Sequence, residues 1–234
     1  RDLVRSRGLG DVYKRQNLLG QIFVRIQALS NVQSSIVTAW IGAILYTLQI
    51  YYDFSGYSDM AIGLGRMFGF RFPQNFNYPY IAESITDFWR RWHMTLGTWF
   101  REYVYIPLGG NRVTTAKHIR NLLIVWGLTG VWHGAGINFL LWGLYYGVLL
   151  IIEKYLIGGF LKKHKVIGHT FTLIAVVIGW MLFANTSFAS LGQYFCMMFG
   201  IGKVSFFNAT AGYFLRTSIV LLVLGVLFST PIMH

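Results

Sequence analysis

The chain has 234 residues, of which 55% are hydrophobic, 18% aromatic and only 12% charged. An average soluble domain carries about 25% charged residues, so half that level, with a mean hydropathy of +0.50, excludes an ordinary soluble globule and points to a polytopic membrane protein. One cysteine excludes an internal disulfide framework, and a net charge of +12 gathered in short basic clusters between apolar runs fits positive loops beside membrane spans, not a nucleic-acid-binding face.

The first sixteen residues, "RDLVRSRGLGDVYKRQ", differ from the rest of the chain, with seven charges and no apolar face. "GLGDVYKRQ" resembles translated sequencing-adapter sequence. Residues 1–16 are therefore set aside as non-native, and 17–234 are taken as one partial membrane domain. Asn31 to Tyr52 is uncharged and long enough to span a bilayer. "DFSGYSDMAIGLGRMFGF" comes next, and its glycines and two carboxylates predict a broken or polar-lined helix. "RFPQNFNYPY" reads as a loop.

In "ESITDFWRRWHMTLGTWFREYVYIPLGGNR", Ser84 and Asp87 have the spacing of a helix start. On a helical wheel Ile85, Phe88, Trp89, Trp92, Leu96, Trp99, Phe100 and Tyr103 share one sector, with arginines opposite and His93 at the sector's edge. This predicts one amphipathic interfacial helix, kinked at Gly97 and ended by Pro107 and "GGNR".

Asn121 to Ile152 holds 32 residues with no Asp, Glu, Lys or Arg. One helix of that length would be about 48 Å long, against a hydrocarbon core of about 30 Å. Glycines at 130, 134 and 136 predict two shorter helices meeting at "HGAG". Basic residues on both sides, Arg112, Lys117 and Arg120 before and Lys162, Lys163 and Lys165 after, place both ends in the cytoplasm. His133 then lies deep, about 20 Å of helix from Arg120. Val166 to Gly202 predicts two short spans around "ANTSFAS", with Cys196 a buried inert thiol, and Thr217 to Ser229 begins another span. The count is six to eight membrane segments, with no internal repeat and no separate soluble domain.

His133, in "GLTGVWHGAGINF", is the leading candidate for chemistry. A neutral imidazole is tolerated in a low-dielectric site and is the basic form, and Gly134 and Gly136 would leave room for a substrate beside the backbone. The alternative is a structural histidine bonded to a carbonyl. His93 is the second candidate, pointing into a cavity or touching headgroups. Arg90 and Arg91 contact lipid phosphate or the phosphates of an acyl donor. Asp53 and Asp59 pair with arginines or line a cavity. Trp132 and Asn138, beside His133, join Arg90, Arg91 and Asp53 as substrate-binding candidates. There is no Gly-x-Ser-x-Gly elbow, no P-loop and no metal-ligand spacing.

"YYDFSGYSDMAIGLGRMFGFRFPQNFNYPYIAESITDFWRRWHMTLGTWFREYVYIPLGGNR" and "GLTGVWHGAGINFLLWGLYYG" together resemble the membrane-bound O-acyltransferases, closest to the bacterial alginate O-acetyltransferase branch. The resemblance implies an all-α, polytopic fold with re-entrant or interfacial helices and a tunnel, in the bacterial inner membrane, of which 17–234 would lack the N-terminal helices. It maps the family's two histidines onto His93 in "RRWH" and His133 in "WHG", the second being the principal catalytic residue. It implies no tightly bound cofactor. The donor substrate would be a cytoplasmic acyl thioester, acetyl-CoA or an acyl carrier, and the acceptor the hydroxyls of an extracytoplasmic polysaccharide such as alginate. Periplasmic partner proteins would complete delivery, and membrane lipid surrounds the fold. Two alternatives stay open: a transporter or proton relay built on Asp53, Asp59 and the histidines, and an O-acyltransferase acting on teichoic acid, peptidoglycan or a lipid.

Overall fold

The computed structural model describes residues 18–29 and 33–233. The segment 1–16 lies outside the described residues. The fold is all-α, and the one β feature among the described residues is an isolated bridge between Ser35 and Ser205. In chain order the helices are α1 (18–27), α2 (Ile36–Met67), α3 (Ile85–Arg91), α4 (Met94–Phe100), α5 (Thr115–His133), α6 (Ile137–Ile152), α7 (Gly158–Lys163), α8 (Lys165–Ala184), α9 (Phe188–Phe199) and α10 (Ala209–Phe228). Two π-helical turns, Arg101–Tyr105 and Glu153–Ile157, extend α4 and join α6 to α7.

The chain divides into two compact units. One comprises residues up to Phe72 and from Phe188 onward, and contains α1, α2, α9 and α10. Ser35 caps α2 by accepting the Thr38 N–H at 3.1 Å. Tyr194 on α9 donates its hydroxyl to the Ala39 carbonyl at 2.8 Å, and Trp40 donates its indole N–H to the Met198 carbonyl at 3.0 Å. Asn208 caps α10 through Ala211 N–H and ties it to the Ser34 carbonyl. Of the two readings of "DFSGYSDMAIGLGRMFGF", a broken or a polar-lined helix, the break is absent: α2 runs unbroken for 32 residues, because a glycine inside a helix costs only about 1 kcal/mol.

The second unit, Pro73–Ser187, holds α3 to α8 around an aromatic core. Trp142, Tyr146, Trp180 and Phe88 are almost wholly buried there. Helices α5 and α6 form the predicted hairpin. Their backbones cross at Gly130 and Gly143, where a Cβ on Gly143 would run into the Trp126 carbonyl and lie 3.1 Å from the Gly130 Cα. Small residues of this kind let membrane helices approach closely. Helix α8 packs on the hairpin, with the Tyr145 hydroxyl donating to the Ala175 carbonyl at 2.8 Å.

Among the described residues, three helical stretches are long and apolar enough to cross a membrane: Ile137–Lys163, Lys165–Ala184 and Ala209–Phe228. This is fewer than the six to eight segments read from the uncharged runs. Helix α9 has 12 residues, about 18 Å, too short for a 30 Å core. Helix α5 gives its first turns to Lys117 and Arg120. Cys196 on α9 is half-buried.

Candidate active site

The amphipathic segment predicted as one helix is two. Ser84 caps α3 through the Asp87 N–H at 3.1 Å, as its spacing required. The helix then stops at Trp92, which is extended, and His93 takes a left-handed conformation with φ 44° and ψ 53° before α4 begins. The break thus falls at His93 and not at Gly97. A non-glycine residue in this region costs about 1–2 kcal/mol, and the surrounding loop supplies the compensation. Asn75 accepts the Met94 N–H on its carbonyl at 3.0 Å. Its side-chain Oδ1 accepts the Thr95 N–H at 3.2 Å and the Thr95 hydroxyl at 2.9 Å, and lies 3.1 Å from His93 Nδ1. Asn77 donates its N–H to the Arg91 carbonyl at 2.9 Å, closing the loop on the end of α3. The break also shifts the helical phase, so Trp92 and Phe100 are buried while Trp99 and Tyr103 are exposed.

His133 is the last residue of α5. Gly134 comes next with φ +154°, a conformation that side chains rarely adopt, and the chain turns directly into α6. The His133 ring stands edge-on to Trp132 and Trp142, each at 4.9 Å between centroids, and to Phe183 at 5.2 Å. Its ring makes no hydrogen bond to a described residue, so the alternative of a histidine bonded to a carbonyl is not what the structure holds. The glycines do not leave open room. A Cβ at Gly134 would meet the Phe139 ring at 2.9 Å, and one at Gly136 would meet the Asn138 side chain. They serve the tight turn.

The space lies elsewhere. His93 and His133 line one cavity of about 90 Å³ with Trp89, Trp126, Trp142 and Thr129. Thr129 spends its hydroxyl on the Val125 carbonyl at 2.8 Å, which leaves the two imidazoles as the basic groups of a largely aromatic, otherwise apolar chamber. Such a chamber can hold an apolar acyl head and offer nitrogen bases to a hydroxyl.

The other candidate residues occupy different settings. Trp132 is half exposed but touches both rings, 5.8 Å from His93 and 4.9 Å from His133. Asn138 is buried and donates its amide to the Phe183 carbonyl at 3.1 Å, pinning the start of α6 to the end of α8. Arg90 is exposed. Arg91 pairs with Asp87 at 3.0 Å and reaches the Asn77 carbonyl. Asp53 and Asp59 are exposed on α2, in the other unit. Two residues escaped the sequence reading: Asn75, inside a stretch read only as a loop, and Glu153, the first charge after the apolar run. Glu153 is 7% exposed and receives two backbone N–H groups at the start of α3.

A family model described as MBOAT, the membrane-bound O-acyltransferase family, matches residues 19–201. A protein named probable alginate O-acetylase AlgI, from Pseudomonas fluorescens, is 49% identical over 168 residues, covering 71% of this chain and 34% of its own length. A peptidoglycan O-acetyltransferase of Helicobacter pylori is 42% identical, covering 73% of this chain and 33% of its own. A teichoic acid D-alanyltransferase of Bacillus subtilis is 36% identical, covering 57% and 36%. The chain thus spans about a third of the length of the curated relatives it matches.

Proposed function

Because this chain belongs to the membrane-bound O-acyltransferase family, we propose that its protein moves an acetyl group from a cytoplasmic thioester donor to hydroxyls of an extracytoplasmic polysaccharide. The observation that carries this reading is the pair of imidazoles on one aromatic-walled cavity. An alcohol is a poor nucleophile at neutral pH. His133 takes its proton as the oxygen attacks the thioester carbonyl carbon, an effect worth roughly 10²–10⁴-fold. The carbon–sulfur bond breaks, the thiolate takes a proton from the imidazolium, and ester and thiol leave. Holding donor and acceptor together in one chamber adds an orientation term. His93 assists from the same cavity. Arg90 is exposed on the polar side of α3, where it can meet donor or lipid phosphates.

The donor enters as a substrate, acetyl-CoA or an acyl carrier, and partner proteins outside the membrane complete delivery to the polymer. The relatives' names span alginate, peptidoglycan and teichoic acid, and the higher identity to the alginate O-acetylase favours an acetylated exopolysaccharide. A proton-relay transporter would need a carboxylate beside the histidines, and among the described residues no Asp or Glu lines the cavity.

His133→Ala in the full-length parent tests the assignment. The polymer should lose its acetyl groups, read by mass analysis, at unchanged expression. Normal acetylation would sink the role of His133, and a polymer never acetylated in the parent would sink the substrate.

A further inference from the structure

The cavity holds two imidazoles, and the structure treats them differently. His133 is walled by rings, whereas His93 is tied through Nδ1 to Asn75, 18 positions earlier in the chain. The orientation of the Asn75 amide is set by its other partner. The backbone N–H of Thr95, 3.2 Å away, can only donate, so the atom facing it is the carbonyl oxygen Oδ1 and not the amide nitrogen. That same oxygen lies 3.1 Å from His93 Nδ1. A carbonyl oxygen only accepts, so the proton of a neutral His93 ring sits on Nδ1 and the lone pair on Nε2.

The tautomer decides what His93 can do. Polarising a thioester carbonyl requires an N–H aimed at the oxygen, which a neutral ring with its proton on Nδ1 does not have at Nε2. Such a ring can accept a hydrogen bond from an incoming hydroxyl, amide or thiol.

We propose that Asn75 is a positioning residue that holds His93 as the Nδ1–H tautomer, so that His93 serves the acyl-transfer site as a hydrogen-bond acceptor through Nε2 and not as a carbonyl-polarising donor. This rests on the proposed acyl-transfer reading for its role in the reaction, but the tautomer itself does not. Asn75 is only 9% exposed, and its carbonyl and side chain hold the three residues 93–95, so it also fixes the left-handed turn that presents the ring. The other titratable group lining the cavity is His133 on α5, and on the preceding helix α3 stand Asp87, Arg90 and Arg91, with Arg91 paired to Asp87.

The test is nitrogen NMR of the full-length parent, with ¹⁵N-histidine, in lipid nanodiscs, the His93 signal being identified by its loss in His93→Gln. Its ring should carry the proton on Nδ1 at alkaline pH. Asn75→Asp keeps the acceptor oxygen and adds a charge, so the tautomer should persist while the His93 titration midpoint rises by about one pH unit. Asn75→Leu should lose the preference and cut acetyl transfer at least about tenfold, with the fold checked by its melting temperature. A proton on Nε2 in the parent, or an unmoved midpoint in Asn75→Asp, overturns the proposal. A correct tautomer in a parent that acetylates nothing supports the Asn75 assignment and removes the acyltransferase reading instead.

Discussion

The carboxylate of Glu153 accepts the backbone N–H of Ile85 at 2.6 Å, across 68 positions of sequence. Its other oxygen takes the Thr86 N–H at 3.2 Å, and Ser84 takes that of Asp87. The first three N–H groups of α3, which no helix can satisfy internally, thus all have acceptors. Two come from the far end of the hairpin that carries His133. Glu153→Leu strands two donors beside a buried site and should lower stability by about 3 kcal/mol. Glu153→Gln, which keeps an acceptor oxygen, should fall between it and the parent. Thermal midpoints in detergent read the order, and a Leu variant as stable as the parent would remove Glu153 from this role.

The crossing of α5 and α6 leaves no space for a side chain at Gly143, since its Cβ position is occupied by the Trp126 carbonyl. Backbone cannot step aside as a flexible side chain can. Gly143→Val should force the hairpin apart, cost about 3 kcal/mol or more and lower the yield of folded protein. Gly159, on α7, has nothing within 4 Å of its Cβ position. Gly159→Ala should therefore stabilise, by up to about 1 kcal/mol. Equal melting temperatures for the two variants would show that the crossing is not tightly packed.

These two relationships also mark what sequence can carry. The hairpin was legible because its signals are local: an uncharged run too long for one span, and glycines near its middle. The break at His93 was not. No glycine or proline stands there, and a wheel drawn through residues 85 to 103 treats the segment as continuous. The interruption is held by Asn75, and the start of α3 by Glu153. Both are contacts between distant parts of the chain, which leave no periodicity to read. The candidate histidines were legible as residues but their inequality was not, because it depends on which of them meets an acceptor oxygen.

His118 should make stability depend on pH. It precedes the uncharged run, is 3% exposed, and has its two ring nitrogens 2.8 and 2.7 Å from the hydroxyls of Tyr105 and Tyr155. Burial and then the charge of Lys154 hold its pKa below the ordinary histidine value of 6.5. The unfolded chain therefore binds that proton more readily than the folded one. Its contribution is intact above about pH 6.5 and declines as the pH falls below that value. His118→Gln retains hydrogen bonding at both ends without a titrating group. Between pH 7.5 and 5.5 the parent's melting temperature should fall more steeply than the variant's, and parallel slopes would contradict the assignment.

Gly97 separates the cavity from the fold. It lines the chamber beside His93, and nothing lies within 4 Å of where its Cβ would stand. It also sits inside α4, where both Ala and Leu are better helix formers than Gly by roughly 0.5–1 kcal/mol. Neither Gly97→Ala nor Gly97→Leu should therefore unfold the protein. They should differ in activity, because a single methyl leaves the chamber open whereas a leucine side chain can reach into the space where the acyl head would meet the two imidazoles. In the full-length parent, Gly97→Ala should acetylate near the parental level. Gly97→Leu should fall at least about tenfold, the size of effect expected when reacting groups are held out of line, with an unchanged or higher melting temperature. Acetyl content of the polymer and thermal melts on the same preparations measure both. A Gly97→Leu protein that melts normally and acetylates normally would mean that the chemistry happens somewhere other than this cavity.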